Sequence, residues 1–145
     1  VFVFFGLVAV CGTAYVQLGA VPCLAVWAAV PVGALATAII VVNNLRDRAT
    51  DVRVGKRTLA VRLGRTGALV EYATLIVASY AVSIGLAVNS HDAWLLLPIV
   101  SLPLAVSRIR ALAKAVAGPE FNACLAATGQ LLLAYGVLFA VGLSL

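Results

Sequence analysis

A chain of 145 residues with 64% hydrophobic and only 10% charged side chains has too little polar surface for a water-soluble domain, since such domains carry about 25% charged residues. Its mean hydropathy of +1.15 makes an integral membrane protein the expected class, with the lipid bilayer as its first partner. The net charge of +5 lies mostly in short connections between apolar runs, where Lys and Arg report the cytoplasmic side of a membrane. No nucleic-acid partner is expected.

The chain contains no methionine and opens inside an apolar run, without the charged n-region of a secretory signal. It reads as a piece of a longer protein whose N-terminal part precedes Val1. Crossing the hydrocarbon takes about 20 apolar residues as a helix. Five segments qualify in chain order: Val1 to about Gly19, Val21 to Val42, about Gly67 to Val88, Ala93 to about Val106, and Phe121 to Leu145. The fourth is the weakest, being short and carrying Pro98 and Pro103. Its continuation through Leu112 would let Arg108, Arg110 and Lys114 snorkel to the headgroups. Lipid offers backbone groups no partner, so helices are required.

The connections "LGAVP" and "NSHDAW" are short and nearly uncharged, whereas residues 43–65 and "SRIRALAKAVAGPE" are cationic. The positive-inside rule places the two cationic stretches in the cytoplasm and the other two, with the C-terminus, on the outer side. Trp94 then fits an outer interfacial anchor, and His91 and Asp92 lie too far from the cationic face for catalysis there. Cys11, Cys23 and Cys124 fall in three separate apolar runs without metal-ligand spacing, and read as small buried apolar residues.

"NNLRDRATDVRVGKRTLAVRLG", residues 43–64, holds two of the five acids and six of the ten bases. No Pro or Gly interrupts "AIIVVNNLRDRATD", so the second helix is predicted to continue out of the hydrocarbon. Residues four apart share a face, which aligns Asn43, Asp47 and Asp51 in one column with Asn44 beside it. Arg46, Thr50 and Arg53 fall on a neighbouring face. Gly55 is the predicted helix stop, after which Lys56 and Arg57 can fold back over the acids. Thr58 is a candidate N-cap for a further amphipathic turn ending at Gly64.

Two carboxylates one turn apart, flanked by amides, suit magnesium, which takes one or two protein carboxylates and keeps waters or phosphates elsewhere. The adjacent Arg46, Lys56 and Arg57 point to a diphosphate on that metal, since cations neutralise its remaining oxygens. The plainer reading is a solvated helix face with i,i+4 ion pairs worth a few tenths of a kcal/mol. Asn122, opening the fifth helix on the same side, reads as a helix cap or as a residue reaching the site. Tyr80, Gln130 and Tyr135 line a cavity or bond between helices. Gln17 sits near the outer side. Glu71 suits the start of the third helix.

The string "NNLRD…TD…GKRTLAVRLG" closely resembles the second aspartate-rich motif of the UbiA superfamily of intramembrane aromatic prenyltransferases. It looks most like the branch acting on 1,4-dihydroxy-2-naphthoate in menaquinone biosynthesis. The resemblance implies an all-α membrane protein: a nine-helix bundle around a cavity, with the five helices of residues 1–145 as its C-terminal part and 43–65 as motif and lid. It implies Mg2+ held by Asp47 and Asp51 as the catalytic and metal residues. It further implies a polyprenyl diphosphate contacted by Asn43, Asn44, Arg46, Lys56 and Arg57, and dihydroxynaphthoate as acceptor, giving a demethylmenaquinone with loss of carboxylate. The family's other motif, Asn-Asp-x-x-Asp-x-x-x-Asp, is absent from these residues, so the fragment alone is expected to be inactive. The implied location is a bacterial plasma membrane.

Alternatives stay open: a relative acting on 4-hydroxybenzoate, haem or a chlorophyll precursor, a transporter, or a non-enzymatic membrane subunit. A transporter would need ionisable residues deep in its helices, and the deep stretches hold essentially none. A basic patch for anionic lipid explains the cations but not why Asp47 and Asp51 share a face.

Overall fold

Backbone groups in hydrocarbon must be satisfied within the segment, and the computed structural model, which describes residues 1–145, is built from helices alone. They are α1 (Phe2–Leu18), α2 (Cys23–Arg53), α3 (Leu59–Ser90), α4 (Ala93–Lys114) and α5 (Gly118–Ser144). The four from α2 onward are long and apolar enough to cross a membrane, and α1 is shorter. At 1.5 Å per residue α1 reaches roughly 25 Å, somewhat less than the hydrocarbon core of about 30 Å.

Helices in lipid gain nothing from burying apolar area against each other, so close approach and polar contacts hold them together. Both devices are present. The first turns of α1, in π geometry over Phe2–Val8, lay Gly6 on α2. A Cβ on Gly6 would stand 2.8 Å from both the Gly33 Cα and the Ala29 carbonyl oxygen. The polar contacts run through the bundle interior. The Tyr72 hydroxyl of α3 meets Thr128 of α5 at 2.8 Å. Tyr80 meets Ser101 of α4 at 2.7 Å, and Ser101 donates onward to the Pro98 carbonyl. Tyr135 donates to the Ser79 carbonyl at 2.7 Å, so the Ser83 hydroxyl beside it must donate to the phenol oxygen. Tyr80 and Tyr135 therefore bond between helices, one of the two readings their sequence positions allowed. Leu35, Val42, Ile76 and Leu131 fill the space between, while Phe4, Val16, Val77, Val100 and Leu133 face outward, as lipid requires.

Several boundaries differ from expectation. The stretch Leu59–Ser90 is two helical pieces: a short turn capped by Thr58 and ended by the non-helical Gly64, as expected, and the body of α3, which begins directly after that break, a few residues before the expected Gly67. Counted from the Gly64 break, Glu71 lies in the second turn of the α3 body rather than in the first, where the helix dipole acts. The fourth helix runs through to Lys114, since Ala93–Ser101 adopts 3₁₀ geometry that accommodates Pro98, and Pro103 sits in the first turn of the α-helical part. Of the cysteines only Cys124 is buried; Cys11 is half-buried and Cys23 exposed. His91 and Asp92 are turn residues at the end opposite the cations: His91 closes α3 at φ 55°, and Asp92 accepts from the Trp94 N–H at 2.9 Å.

Candidate active site

The second helix runs unbroken from Cys23 to Arg53, carrying Asn43, Asp47 and Asp51 beyond the apolar run that ends at Val42. It then ends in a left-handed turn at Gly55, φ 72°. The Lys56 N–H bonds the Asp51 carbonyl at 2.9 Å and the Gly55 N–H bonds the Val52 carbonyl at 3.2 Å. This pair of bonds is the Schellman arrangement, which needs glycine at the left-handed position. It folds Lys56 back over the last helical turn, where its ammonium reaches Asp51 Oδ1 at 3.3 Å. The predicted helix stop and the return of Lys56 are thus one local device. Thr58 then caps α3, its hydroxyl accepting from the Val61 N–H at 3.3 Å.

The two carboxylates sit in different surroundings. Asp51 is 5% exposed. Its Oδ2 is buried and has no hydrogen-bond partner, although Lys56 holds Oδ1. Asp47 keeps 38% of its side chain exposed and is gripped by the neighbouring Arg46. The Arg46 Nε donates to Oδ1 at 2.8 Å and an Nη to Oδ2 at 3.0 Å, a two-pronged contact. Asn43 adds a longer bond to Oδ2, 3.4 Å. The Arg46 hydrogen bond holds the Asp47 carboxyl below the usual carboxylate range, partly offset by desolvation.

Arg46 also joins α2 to α5. It donates at 2.8 Å to the side-chain oxygen of Asn43 and at 2.8 Å to that of Asn122. Asn122 lies beyond the first turn of α5, so it is not a cap; it belongs to the cluster. Asn44 is half-buried and Arg57 exposed, and neither is among the side-chain hydrogen bonds of the site. The structure therefore brings Asn43, Arg46, Asp47 and Asn122 into one cluster, sets Asp51 with Lys56 next to it, and leaves Arg57 free at the turn.

A buried carboxylate oxygen without a donor is costly unless a cation or donor completes it. The orphan Asp51 Oδ2 fits an oxygen-preferring cation such as Mg2+. No group of three or more acidic, His or Cys side chains gathers anywhere in the chain. These residues offer at most two carboxylates, the number a magnesium ion typically takes from a protein when phosphates fill its other positions.

Arg65 carries no signal in the sequence beyond a cation after a glycine. In the fold it spans to the end of α4, donating to the carbonyls of Ala115 at 2.7 Å and Ala113 at 3.1 Å. Those carbonyls are left open where a helix ends. This contact and the Arg46–Asn122 bond gather the cationic ends of α2, α3 and α4 with the start of α5 at one end of the bundle.

The profile of the UbiA prenyltransferase family matches residues 1–120. The chain is 39% identical to a 1,4-dihydroxy-2-naphthoate octaprenyltransferase of Mycobacterium leprae, with all of this chain and 49% of that protein covered. It is 36% identical to the protein of the same name from Mycobacterium tuberculosis, over 99% of this chain and 49% of the relative. For the Escherichia coli protein of that name the figures are 32%, 100% and 47%. The chain spans about half the length of these curated relatives.

Proposed function

The chain belongs to the UbiA prenyltransferase family, and from that premise we propose that the protein containing it transfers a polyprenyl group from polyprenyl diphosphate to 1,4-dihydroxy-2-naphthoate. The immediate product would be the quinol form, a demethylmenaquinol, formed in a bacterial plasma membrane with residues 43–65 facing the cytoplasm; its oxidation to the quinone is a separate step. The acceptor is inferred from the names of the relatives and from the ending "GKRTLAVRLG". The observation that carries the reaction type is the aspartate column: Asp47 and Asp51 project past the hydrocarbon on one helix, each with a cation seated on it.

Asp47 and Asp51 would hold Mg2+, which when bound supplies positive charge to the departing diphosphate. Arg46 and Lys56 occupy those carboxylates in this structure. With a metal on the carboxylates, Arg46 and Lys56 would be at short range to neutralise phosphate oxygens, with Arg57 beside them. Asn43 and Asn122 hold Arg46 at the site. The C–O bond of the diphosphate breaks with its electron pair leaving on oxygen, and the allylic cation is attacked by the electron-rich ring. Carbon dioxide then departs and its bonding pair restores the aromatic ring. The cation must be shielded from water, and the segment from Lys56 to the Gly64 break is placed to serve as the cover.

The test is prenyl transfer by the full-length protein in membranes, using labelled polyprenyl diphosphate with dihydroxynaphthoate or 4-hydroxybenzoate, with and without Mg2+. Magnesium-dependent product from the naphthoate, lost in Asp47→Ala and Asp51→Ala, is the expected result. Product from 4-hydroxybenzoate alone would keep the chemistry and change the acceptor. Activity surviving both substitutions would reduce the column to a solvated helix face.

A further inference from the structure

A second cationic feature lies along α2 next to the aspartate cluster, with which it shares Arg46. Leu45, Arg46, Arg48, Ala49 and Val52 of α2 form one wall of a cleft of about 450 Å³, closed by Arg65 of α3 and by Val116 and Phe121 at the start of α5. Small-molecule sites typically hold about 300–1,000 Å³. Three arginines line the cleft, and no acidic residue does.

The guanidiniums differ in how much of their hydrogen-bonding capacity is used. Arg46 spends its Nε and both terminal nitrogens on Asp47, Asn43 and Asn122. Arg65 engages one terminal nitrogen with the α4 carbonyls, which leaves its Nε and other terminal nitrogen unspent. Arg48 is exposed and makes no side-chain hydrogen bond; its terminal nitrogen lies over Gly64, 3.9 Å from where a Cβ would stand. Two forks with free donors therefore face a space with no carboxylate to take them. A planar fork of this kind suits phosphate oxygens.

The rest of the lining is apolar: Leu45, Val52, Val116 and Phe121. Its α2 wall begins at Leu45, just past the apolar run that ends at Val42. A phosphate at the guanidiniums with hydrocarbon against the apolar wall is the layout of a membrane's headgroup boundary. We infer that Arg48 and Arg65 form a phosphate-anion site separate from the aspartate column, and that its occupant is the headgroup of an anionic phospholipid. The same chemistry would accept a free phosphate, so the test separates the two sources.

The full-length protein is placed in phosphatidylcholine nanodiscs in Mg2+-free buffer with chelator, which suppresses metal-dependent binding at the aspartates. One arm measures binding of labelled phosphatidylglycerol; the other titrates inorganic pyrophosphate. Arg48 has no hydrogen-bond partner in the chain, so Arg48→Gln tests the site without removing a structural bond, whereas Arg65→Gln also uncaps α4. Arg48→Gln is expected to weaken phosphatidylglycerol binding about tenfold, the loss of roughly one charge-assisted contact. Weakened pyrophosphate binding with unchanged lipid binding would assign the cleft to a soluble phosphate. Equal binding by wild type and Arg48→Gln in both arms, or no wild-type preference for phosphatidylglycerol or pyrophosphate, overturns the inference. Asp51→Ala is the counter-variant: it should abolish prenyl transfer and leave lipid binding intact, so failure of either reading is separately visible.

Discussion

At the residue scale, the site contrasts a buried carboxylate with an exposed one. Asp51 is nearly inaccessible and relies on Lys56, whose own side chain is 60% exposed. Removing Lys56 leaves a buried charge with both oxygens unpartnered. Lys56→Met should therefore destabilise the protein by about 1–2 kcal/mol, the lower part of the range for an orphaned charged group because its partner is solvated. Thermal unfolding with and without Mg2+ checks this, and the metal should recover most of the loss if it takes Asp51. Arg46→Lys removes the two-pronged grip on Asp47 and the reach to Asn122 while keeping the charge; kcat/KM should fall on the order of tenfold. Glu120 gives a pH dependence. Its carboxylate accepts the backbone N–H groups of Val116 and Ala117, which hold it below the usual carboxylate range. A group depressed by folding lends stability above its unfolded pKa and loses it as pH falls through the folded value. Glu120→Ala should lower the melting temperature at neutral pH, and the difference should vanish on acidification below the ordinary carboxylate range.

At the element scale, the stretch between α2 and the body of α3 is governed by two glycines with positive φ. Gly55 reverses the chain so that Lys56 meets Asp51. Gly64, at φ 72° and ψ −172°, breaks α3 five residues after it starts. That second conformation is essentially restricted to glycine, and other residues pay about 1–3 kcal/mol there. Gly64→Ala should cost stability in that range and also push the Leu59–Leu63 turn toward a straight continuation of α3. Limited proteolysis of residues 54–64 in the full-length protein would report the displaced segment, and loss of protection by polyprenyl diphosphate would tie it to covering the substrate.

At the scale of the whole molecule, charge is segregated along the bundle. All ten lysines and arginines lie in residues 46–65 and 108–114, and the Arg46–Asn122 and Arg65–Ala115 contacts bring those stretches to one end. By the positive-inside rule we propose that this end faces the cytoplasm. In a cysteine-free background of the full-length protein, Arg57→Cys should react with an impermeant maleimide only from the cytoplasmic side. His91→Cys should react only from the opposite side. The reverse pattern would invert the topology and remove the substrate-facing placement of the aspartate column.

The membrane class, the order of the five helices, the aspartate column and the local return of Lys56 were legible in the residues themselves. Each rests on composition, helical period or short-range turn chemistry, and none needs a distant partner. The short turn from Thr58 to Gly64 was legible too, because its cap and its stop are both local; only the first residues of the α3 body, directly after Gly64, lie a little ahead of the expected start. Asn122 could be read two ways, since its contact with Arg46 spans 76 positions of the chain. The burial of Asp51, the bond from Arg65 to α4 and the cleft beside Arg48 had no sequence signature. They depend on which helix ends meet, and interhelical packing over long separations, rather than local propensity, decides that.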